Sequence, residues 1–221
     1  SYLMALSKFN FNSFDVTTAA SSALAFNSSA NGFDTVAGGA LNLIATNTIS
    51  SAVSSSSFTS GIDSTYDTYL FKLINIQPAT NDVRFGLNLS IDGGSNYNVT
   101  KTTTMFGARH EEDGSYSEFG YEGGRDLAQS TSDQTMSIFT LKNSNPESLS
   151  GSFYLFSPSS TTFVKYFIGV SNASGAGSTS VASNAYFAGY ANTTSAINAI
   201  TFKMDSGNID SGTIKMYGIT K

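Results

Sequence analysis

The stretch Val83-Arg84-Phe85-Gly86-Leu87-Asn88-Leu89-Ser90-Ile91-Asp92 alternates apolar and polar residues over its whole length. Successive side chains of a β-strand point to opposite faces, so this period of two predicts a strand with one buried face and one solvent-facing side. Gly93, Gly94 and Ser95 come next, and glycine readily takes the positive φ of a tight turn. The sequence therefore predicts a hairpin whose second strand returns over residues 96–106.

Outward from this hairpin, strands and turns continue along the chain. Turn sequences such as Asn143-Ser144-Asn145-Pro146 and Asp205-Ser206-Gly207-Asn208 separate the apolar runs. Many short strands with turns roughly every ten residues are typical of a β-sandwich or barrel. We predict an all-β, jelly-roll-like antiparallel β-sandwich of two four-stranded sheets, with an open sandwich of other connectivity as the alternative. The further predicted strands cover residues 43–58, 66–76, 135–142, 149–156, 162–170, 181–190, 196–204 and 213–219.

Residues 1–42 differ from the sandwich domain predicted for residues 43–221. They are rich in Ser, Ala, Asn and Thr, and carry Phe9, Phe11 and Phe14 near the start. With so little apolar periodicity this segment cannot bury itself alone. We predict an extended N-terminal arm that becomes ordered against a partner subunit, with Phe9, Phe11 and Phe14 as apolar anchors. The alternative is a frayed terminus.

The charge composition excludes one class of partner. Charged residues make up 12% of the chain, about half of the ~25% usual in soluble proteins. The net charge is −5, and the 11 Lys and Arg residues are scattered along the sequence. Binding to a phosphate backbone needs clustered cations. We therefore expect no nucleic acid partner, and a Ser/Thr/Asn surface of low charge suits close packing against other subunits.

Other absences narrow the function further. The chain has no cysteine, so disulfide frameworks and thiolate zinc sites are excluded. No apolar run reaches the ~18 residues of a membrane span, and we expect no membrane partner. Residues 1–8 lack the basic and apolar regions of a secretion signal. We expect assembly in a cytoplasm and, if the protein ends up outside a cell, release by lysis.

The candidates for catalysis are few. The single histidine, His110, lies in the charged run His110-Glu111-Glu112-Asp113, and no serine has a nucleophile-elbow glycine pattern. We interpret this run as a solvated loop. A calcium site is the alternative, although the ligand spacing of a calcium-binding loop is missing. Glu118 and Glu122 would lie roughly 13 Å apart in an extended segment, too far for a glycosidase pair. We therefore predict no catalytic residue, no metal, no cofactor and no enzymatic activity.

The longest stretch without a strand pattern is 107–132, and a loop of this length is usually functional or mobile. Tyr116 and Tyr121 lie in it, and Tyr97 follows the Gly93-Gly94 turn. Rings at loop ends can stack on sugars or on a neighbouring subunit. We predict Tyr97, Tyr116 and Tyr121 as binding residues. The alternative is that these tyrosines line the sheets or the subunit contact.

Four stretches resemble proteins of tailed phages of marine bacteria: residues 48–55, residues 58–67, Ser90-Ile91-Asp92-Gly93-Gly94-Ser95-Asn96-Tyr97, and the closing run 206–219. The similarity covers about residues 43–221, and the order of the four stretches carries it more than any one of them. It implies a virion surface protein, a tail-fibre-like or head-decorating module, without catalytic residues. Residues 1–42 do not match a tail-attachment domain.

Together these observations predict a non-catalytic phage virion structural protein, an exposed fibre or appendage module attached through its N-terminal arm. We expect it to form a homo-oligomer, with three copies as the expected number, and to contact other virion proteins and a host surface glycan. A capsid decoration protein is the alternative. A polysaccharide-binding or polysaccharide-degrading β-sandwich enzyme is the third candidate.

Overall fold

A computed structural model describes residues 22–26, 33–37, 40–144, 146–176 and 179–219. Every regular element in these ranges is a β-strand, and none of them contains a helix long and apolar enough to cross a membrane. The strands are β1 (Ser22–Phe26), β2 (Phe33–Ala37), β3 (Leu41–Ile49), β4 (Ser56–Phe58), β5 (Thr68–Pro78), β6 (Phe85–Ser90), β7 (Lys101–Glu111), β8 (Ser117–Tyr121), β9 (Gln134–Thr135), β10 (Leu149–Phe156), β11 (Lys165–Ala176), β12 (Thr179–Ala191), β13 (Ala199–Met204) and β14 (Ile209–Ile219).

The chain divides into two compact units, residues 1–42 and residues 43–221. In the first unit, β1 and β2 form an antiparallel pair in which Phe26 lies opposite Phe33. The predicted arm anchors Phe9, Phe11 and Phe14 lie outside the described residues, so their role stays a prediction.

In the second unit, eight strands form a jelly-roll frame. One side of the frame has the order β3-β14-β5-β10, and the facing sheet has the order β4-β13-β6-β9. If the eight frame strands are numbered 1 to 8 in chain order, the first sheet has the order 1-8-3-6 and the facing sheet has the order 2-7-4-5. This is the strand order of a jelly roll. Every assigned strand pairing is antiparallel. The predicted jelly-roll-like antiparallel sandwich is confirmed.

Four further strands, which we call the extension, widen the first sheet. The complete order of this sheet is β3-β14-β5-β10-β11-β12-β7-β8. The strands β7 and β8 are inserted in the chain between frame strands β6 and β9, and β11 and β12 between β10 and β13. The predicted strands 96–106, 162–170 and 181–190 overlap β7, β11 and β12, and only β8 was not predicted. The prediction of two four-stranded sheets is nevertheless wrong for this sheet, because nothing in a strand pattern tells a frame strand from an inserted one.

A row of large side chains crosses the inner face of the eight-stranded sheet. Register places Met216 opposite Phe71, Phe71 opposite Phe153, and Phe187 opposite Met105. All five are buried, and each such side chain contributes about 1.5–3 kcal/mol by leaving water. The strand β11 supplies no ring to this row, and its place is taken by Gly169, opposite both Phe153 and Phe187.

The four-stranded sheet adds a second aromatic layer. The ring of Phe202 lies 5.6 Å from that of Phe71 across the sandwich, and stacks on Phe85 at 6.0 Å within its own sheet. Phe58 meets Phe71 edge to face at 5.6 Å. Edge and offset contacts of this kind add about 0.5–1.5 kcal/mol each to the burial of area. Phenylalanine rings from both sheets thus meet in the core of the frame.

The strand that opened the sequence analysis is buried on both faces. Every residue of β6 is buried, which corrects the prediction of one solvent-facing side. Residues 124–135 cover its polar face: Asn88 donates to the Thr131 carbonyl, and a Cβ on Gly86 would lie 2.9 Å from the Gln134 carbonyl oxygen. Polar residues at alternate positions therefore mark a face that needs hydrogen bonds, whether water or protein supplies them.

The predicted hairpin at 83–106 is wrong in its pairing, although its turn is present. Gly93 and Gly94 have positive φ values of 71° and 90°. The chain leaves this turn for the other sheet, because β6 pairs with β13 and β9 while β7 pairs with β12 and β8. The run from Asp92 to Thr100 is long enough to carry the chain between sheets, which a two-residue hairpin loop is not.

Two other predicted strands differ from the structure. Residues 43–58 form two strands, β3 and β4, which lie in different sheets. Residues 135–142 are not a strand; apart from β9, only Leu141 makes a ladder contact there, an isolated bridge to Val83. Apolar side chains occur in this segment because it packs on the core, with Met136, Ile138 and Leu141 buried. The prediction for 149–156 matches β10 at both ends.

Candidate binding surface

The outer face of the extension carries large apolar side chains that water reaches. Phe119, Tyr121 and Tyr166 are 73%, 61% and 59% exposed. Alternation along each strand places them opposite the buried row. We define the aromatic face as these residues together with their exposed or half-buried neighbours on the same side, namely Phe106, Tyr154, Phe156, Ile168, Tyr186 and Tyr190.

Contacts between neighbouring rings hold the side chains of the aromatic face in place within one chain. Phe106 and Tyr186 lie opposite each other in register and stack at 5.2 Å with an interplanar angle of 11°. Phe119 meets Phe106 edge to face at 5.7 Å. Tyr166 and Tyr190 form a second pair at 6.4 Å. These contacts limit the motion of the rings, so a partner that covers them loses less side-chain entropy.

A shallow depression of about 330 Å³ lies beside the second pair, between β7, β12 and β11. Its outer walls are Thr102, Thr104, Ala188 and the rings of Tyr166 and Tyr190. The small side chains of Ala188 and the two threonines leave the space that larger neighbours would fill. The depression is at the lower end of the ~300–1,000 Å³ typical of ligand pockets.

The aromatic face is nearly free of charge. The strand β11 presents Tyr166, Ile168 and Val170 outward, and β12 presents Tyr186, Ala188 and Tyr190. Charge returns at the two edges of the face: Lys72 and Lys215 lie opposite each other on the frame side, and the Asp126 carboxylate contacts the Tyr121 hydroxyl at β8. From β10 to β8 the face spans five strands, or roughly 19 Å at the ordinary strand spacing.

At the edge of the sheet, Tyr121 belongs to this face. Its hydroxyl donates to the Asp126 carboxylate at 2.5 Å, and its ring lies in register opposite Phe106. The pKa of Tyr121 is raised, first by this hydrogen bond and then by partial burial. The hydroxyl is therefore a neutral donor that is already engaged. The predicted binding residue Tyr121 lies among other exposed rings.

Tyr116 lies on the other side of the same hairpin. The guanidinium of Arg109 stands 4.3 Å from the Tyr116 ring centre and binds Glu118 at 2.8 Å. Arg109 and Phe106 point to opposite faces of β7, because they are an odd number of residues apart. The segment 107–132, predicted as irregular, therefore begins with a strand pair. The prediction of an irregular segment overlooked that Arg109 and Glu118 carry opposite charges and can pair across two antiparallel strands.

Tyr97 packs on the turn between the two sheets. A Cβ added to Gly94 would lie 2.7 Å from the Tyr97 hydroxyl oxygen, so the tyrosine covers the glycine closely. The side chain of Tyr97 is half-buried. The structure thus places the three predicted binding tyrosines at three locations, with Tyr121 on the aromatic face, Tyr116 under Arg109 and Tyr97 over Gly94.

The charged run at 110–113 forms the turn of the β7–β8 hairpin. The Asp113 carboxylate accepts from the Ser115 backbone N–H at 2.8 Å, and Glu111 accepts from the Ser115 hydroxyl at 2.8 Å. The pKa of Asp113 is lowered, first by its side-chain hydrogen bond to Ser115. Over the described ranges no three His, Asp or Glu side chains are grouped as metal ligands would be.

The two glutamates considered for glycoside cleavage both bind arginines. Glu118 binds Arg109, and Glu122 binds Arg125 at 2.8 Å. Arg125 also lines a polar cavity of about 320 Å³ with Arg84, Lys203, Asp133 and Asp205. Two of its cations bind acids, Arg125 to Glu122 and Lys203 to Asp133 at 2.9 Å, while Asp205 accepts from the Arg84 backbone N–H and not from its guanidinium.

Comparisons with known proteins find no relative. No protein-family model, no curated protein and no solved structure matches the chain. A functional hypothesis therefore rests on the geometry of the surface and on the resemblance of the four sequence stretches.

Most of the aromatic face was missed by sequence reasoning. Phe106, Phe119, Tyr166 and Ile168 were not singled out, because large apolar residues in strands are most often core residues. The signal lies in runs such as Tyr166-Phe167-Ile168 and Tyr186-Phe187-Ala188, in which both faces of the strand are apolar. A strand that is apolar on both faces and lies at the side of a sandwich exposes one of them.

Proposed function

We propose that the chain is a non-catalytic surface protein of a phage particle whose copies associate through the aromatic face. The observation that carries the association is an uncharged, aromatic outer sheet beside a frame that already has its own core. By strand spacing and rise the face covers roughly 400 Å². Patches of this size on a folded monomer are often functional. Aromatic residues are enriched, and charged residues depleted, where protein surfaces meet.

The role in a particle is supported by the resemblance to virion surface proteins of marine tailed phages and by the jelly-roll frame, an architecture used in viral capsid domains. We propose that residues 1–42 attach the sandwich to the particle. Both a fibre or appendage module and a capsid decoration protein fit this arrangement. The two differ in copy number, because decoration proteins follow the capsid lattice and appendages do not.

A matched pair of substitutions tests the association. Ile168 on the aromatic face and Ile91 in the turn after β6 are 47% and 43% exposed. We expect Ile168→Lys to dissociate the oligomer, since it buries a charge at the contact, and Ile91→Lys to leave it intact. Sedimentation velocity on both variants gives the result. A monomeric wild-type protein, or equal behaviour of the two variants, contradicts the proposal.

A truncation tests the attachment. Deleting residues 1–42 is expected to abolish binding to particles while circular dichroism still reports a folded β protein. Full occupancy of particles by the truncated protein overturns the arm hypothesis. Counting copies per particle in images of intact particles then separates decoration from an appendage.

Recognition of a glycan is a second candidate, favoured by the depression beside Tyr166 and Tyr190. Aromatic rings can stack on the apolar faces of sugars, and the threonine hydroxyls of Thr102 and Thr104 can hydrogen-bond to sugar hydroxyls. Tyr166→Ala is then expected to abolish binding on a glycan array while circular dichroism still reports a folded β protein. Release of reducing sugar by the wild-type protein would instead support the enzyme alternative.

A further inference from the structure

A lysine is buried where residues 127–135 cover the four-stranded sheet. Lys101, the first residue of β7, is 0% exposed, although lysine is almost never fully buried unless it is paired. Among the residues that the structure describes, its Nζ makes no direct ion pair. It donates to the Asn88 Oδ1 atom at 2.7 Å and to the Val99 carbonyl at 2.7 Å.

The side-chain amide of Asn88 is held at both ends. Asn88 lies in β6 and is 2% exposed. Its Oδ1 accepts from the Leu89 backbone N–H at 2.9 Å as well as from Lys101. Its Nδ2 donates to the Asp133 carboxylate at 2.8 Å and to the Thr131 carbonyl at 3.0 Å. The Cγ atom of Asn88 is thus bonded to Oδ1, which accepts from the Lys101 amine, and to Nδ2, which donates to the Asp133 carboxylate.

These three side chains are a nucleophile, an acyl group and an acid–base group. We infer that Lys101 and Asn88 form an intramolecular isopeptide bond, with Asp133 as the proton carrier and ammonia as the product. The site belongs to the folded chain alone, so the inference does not depend on the function proposed above.

The reaction balances without any co-reactant. The lone pair of the neutral Lys101 amine attacks Asn88 Cγ, and the carbonyl electrons move to Oδ1, where the Leu89 N–H donates to the developing oxyanion. Once Nζ is bonded to Cγ and so lies beside Nδ2, the Asp133 carboxylate, 2.8 Å from Nδ2, accepts the proton from Nζ and delivers it to Nδ2. The Cγ–Nδ2 bond then breaks, the carbonyl re-forms and ammonia leaves. Amine and carboxamide become one secondary amide plus ammonia.

The surroundings favour the neutral amine that this reaction needs. Burial lowers the pKa of Lys101 to about 8, and the negative charge of Asp133 acts in the opposite direction. The charged groups near the amine are Asp133 and, beyond it, Lys203, which binds the same carboxylate. A desolvated lysine is a recognised way of obtaining a nucleophilic amine near neutral pH. Holding both reactants in place supplies much of the remaining acceleration.

The bond would join the two sheets covalently. Asn88 belongs to the four-stranded sheet and Lys101 to the eight-stranded sheet. The chain has no cysteine, so no disulfide can make such a link. A crosslink of this kind resists reduction.

A second buried lysine serves as the matched control. Lys165 is also 0% exposed, but its Nζ donates to the backbone carbonyls of Phe163 and Thr193, at 2.8 Å and 3.1 Å. Backbone carbonyls offer no leaving group short of chain cleavage. Lys165 is therefore expected to stay a free amine.

The test is the intact mass of the purified full-length chain after incubation at about pH 9, where the amine is largely neutral. We expect a mass below the sequence mass by one ammonia molecule, and a branched peptide joining Asn88 to Lys101 after proteolysis. Lys101→Met and Asp133→Asn are expected to keep the sequence mass while circular dichroism reports a folded protein. Lys165→Met is expected to lose ammonia as the wild type does.

Two outcomes overturn the inference. A wild-type chain that keeps its sequence mass after the incubation has no crosslink. A loss of ammonia that persists in Lys101→Met comes from ring closure of Asn88 on its own backbone rather than from attack by the lysine.

Discussion

The jelly-roll frame and the extension share one sheet, but they distribute their apolar residues differently. In the frame, rings such as Phe71 and Phe202 point inward, and the outer positions of β5 and β14 include Lys72 and Lys215. In the extension, Phe187 points inward while Tyr186 and Phe106 point outward. Inward rings stabilise the fold. Outward rings add little to the folded monomer, and it is this difference on which the proposed association rests.

The largest effect is expected from removing a ring of the frame. Phe202 contacts Phe58, Phe71 and Phe85 and is completely buried. Phe202→Ala should lower the free energy of unfolding by about 3–5 kcal/mol, because it removes apolar area and leaves a cavity. Denaturation in urea measures the change. Phe106→Ala in the extension is the control and should cost far less; equal losses would erase the distinction between the two regions.

A smaller effect is expected from adding a methyl group at Gly169, on the inner face of the extension. A Cβ there would lie 2.1 Å from the Cζ atom of Phe187, whose ring stacks on Phe153. Gly169→Ala should cost about 1–3 kcal/mol through overpacking. Phe187→Leu in the same chain should restore part of that loss, giving a measurable coupling energy in a double-mutant cycle. Independent, additive losses would contradict the packing described for this row.

The hairpin of the extension should respond more weakly. Arg109→Ala removes the ion pair with Glu118 and the contact with the Tyr116 ring. Both are partly exposed, and the expected loss is about 0.5–1 kcal/mol in thermal or urea unfolding. Lys142→Ala, which removes an exposed ion pair with Asp82 without an aromatic contact, is the matched control. If Lys142→Ala lowers the free energy of unfolding more than Arg109→Ala does, the contact between Arg109 and the Tyr116 ring does not stabilise the fold.

The smallest effect is expected at the turn that joins the frame to the extension. Hydrogen bonds from the Asn96 side chain, then from Ser90, lower the pKa of Asp92 to about 2. A depressed carboxyl pKa stabilises the fold above its unfolded value, ~3.9, and the contribution is lost as the pH falls through about 2. Thermal unfolding of Asp92→Asn should therefore change less with pH over this range than that of the wild type. If Asp92→Asn and the wild type show identical pH profiles, these hydrogen bonds do not contribute to stability.

The sequence sufficed for the fold class and for strands whose two faces differ or whose ends carry clear turn residues, as at 149–156. It failed where a segment's partner lies far away in the chain. Nothing near Phe85–Ser90 reveals that residues 124–135 cover its polar face. The same limit hid the aromatic face, since exposure of Tyr166 depends on what packs above β11 and not on the residues beside it. Tyr121 was singled out because rings near loop ends can stack on sugars or on a neighbouring subunit, and its role in binding stays a prediction.

The two insertions that build the extension reach it from separate points of the chain, and β7 completes its ladder only when β12 arrives. Until then, β7 and β8 form a two-stranded ribbon, which is marginal in water. Pairing between sequence-distant strands is slow because loop closure precedes the stabilising contacts. The ribbon of β7 and β8 therefore joins the sheet only after β12 has formed. A chain still being synthesised cannot complete the aromatic face before β12 has left the ribosome.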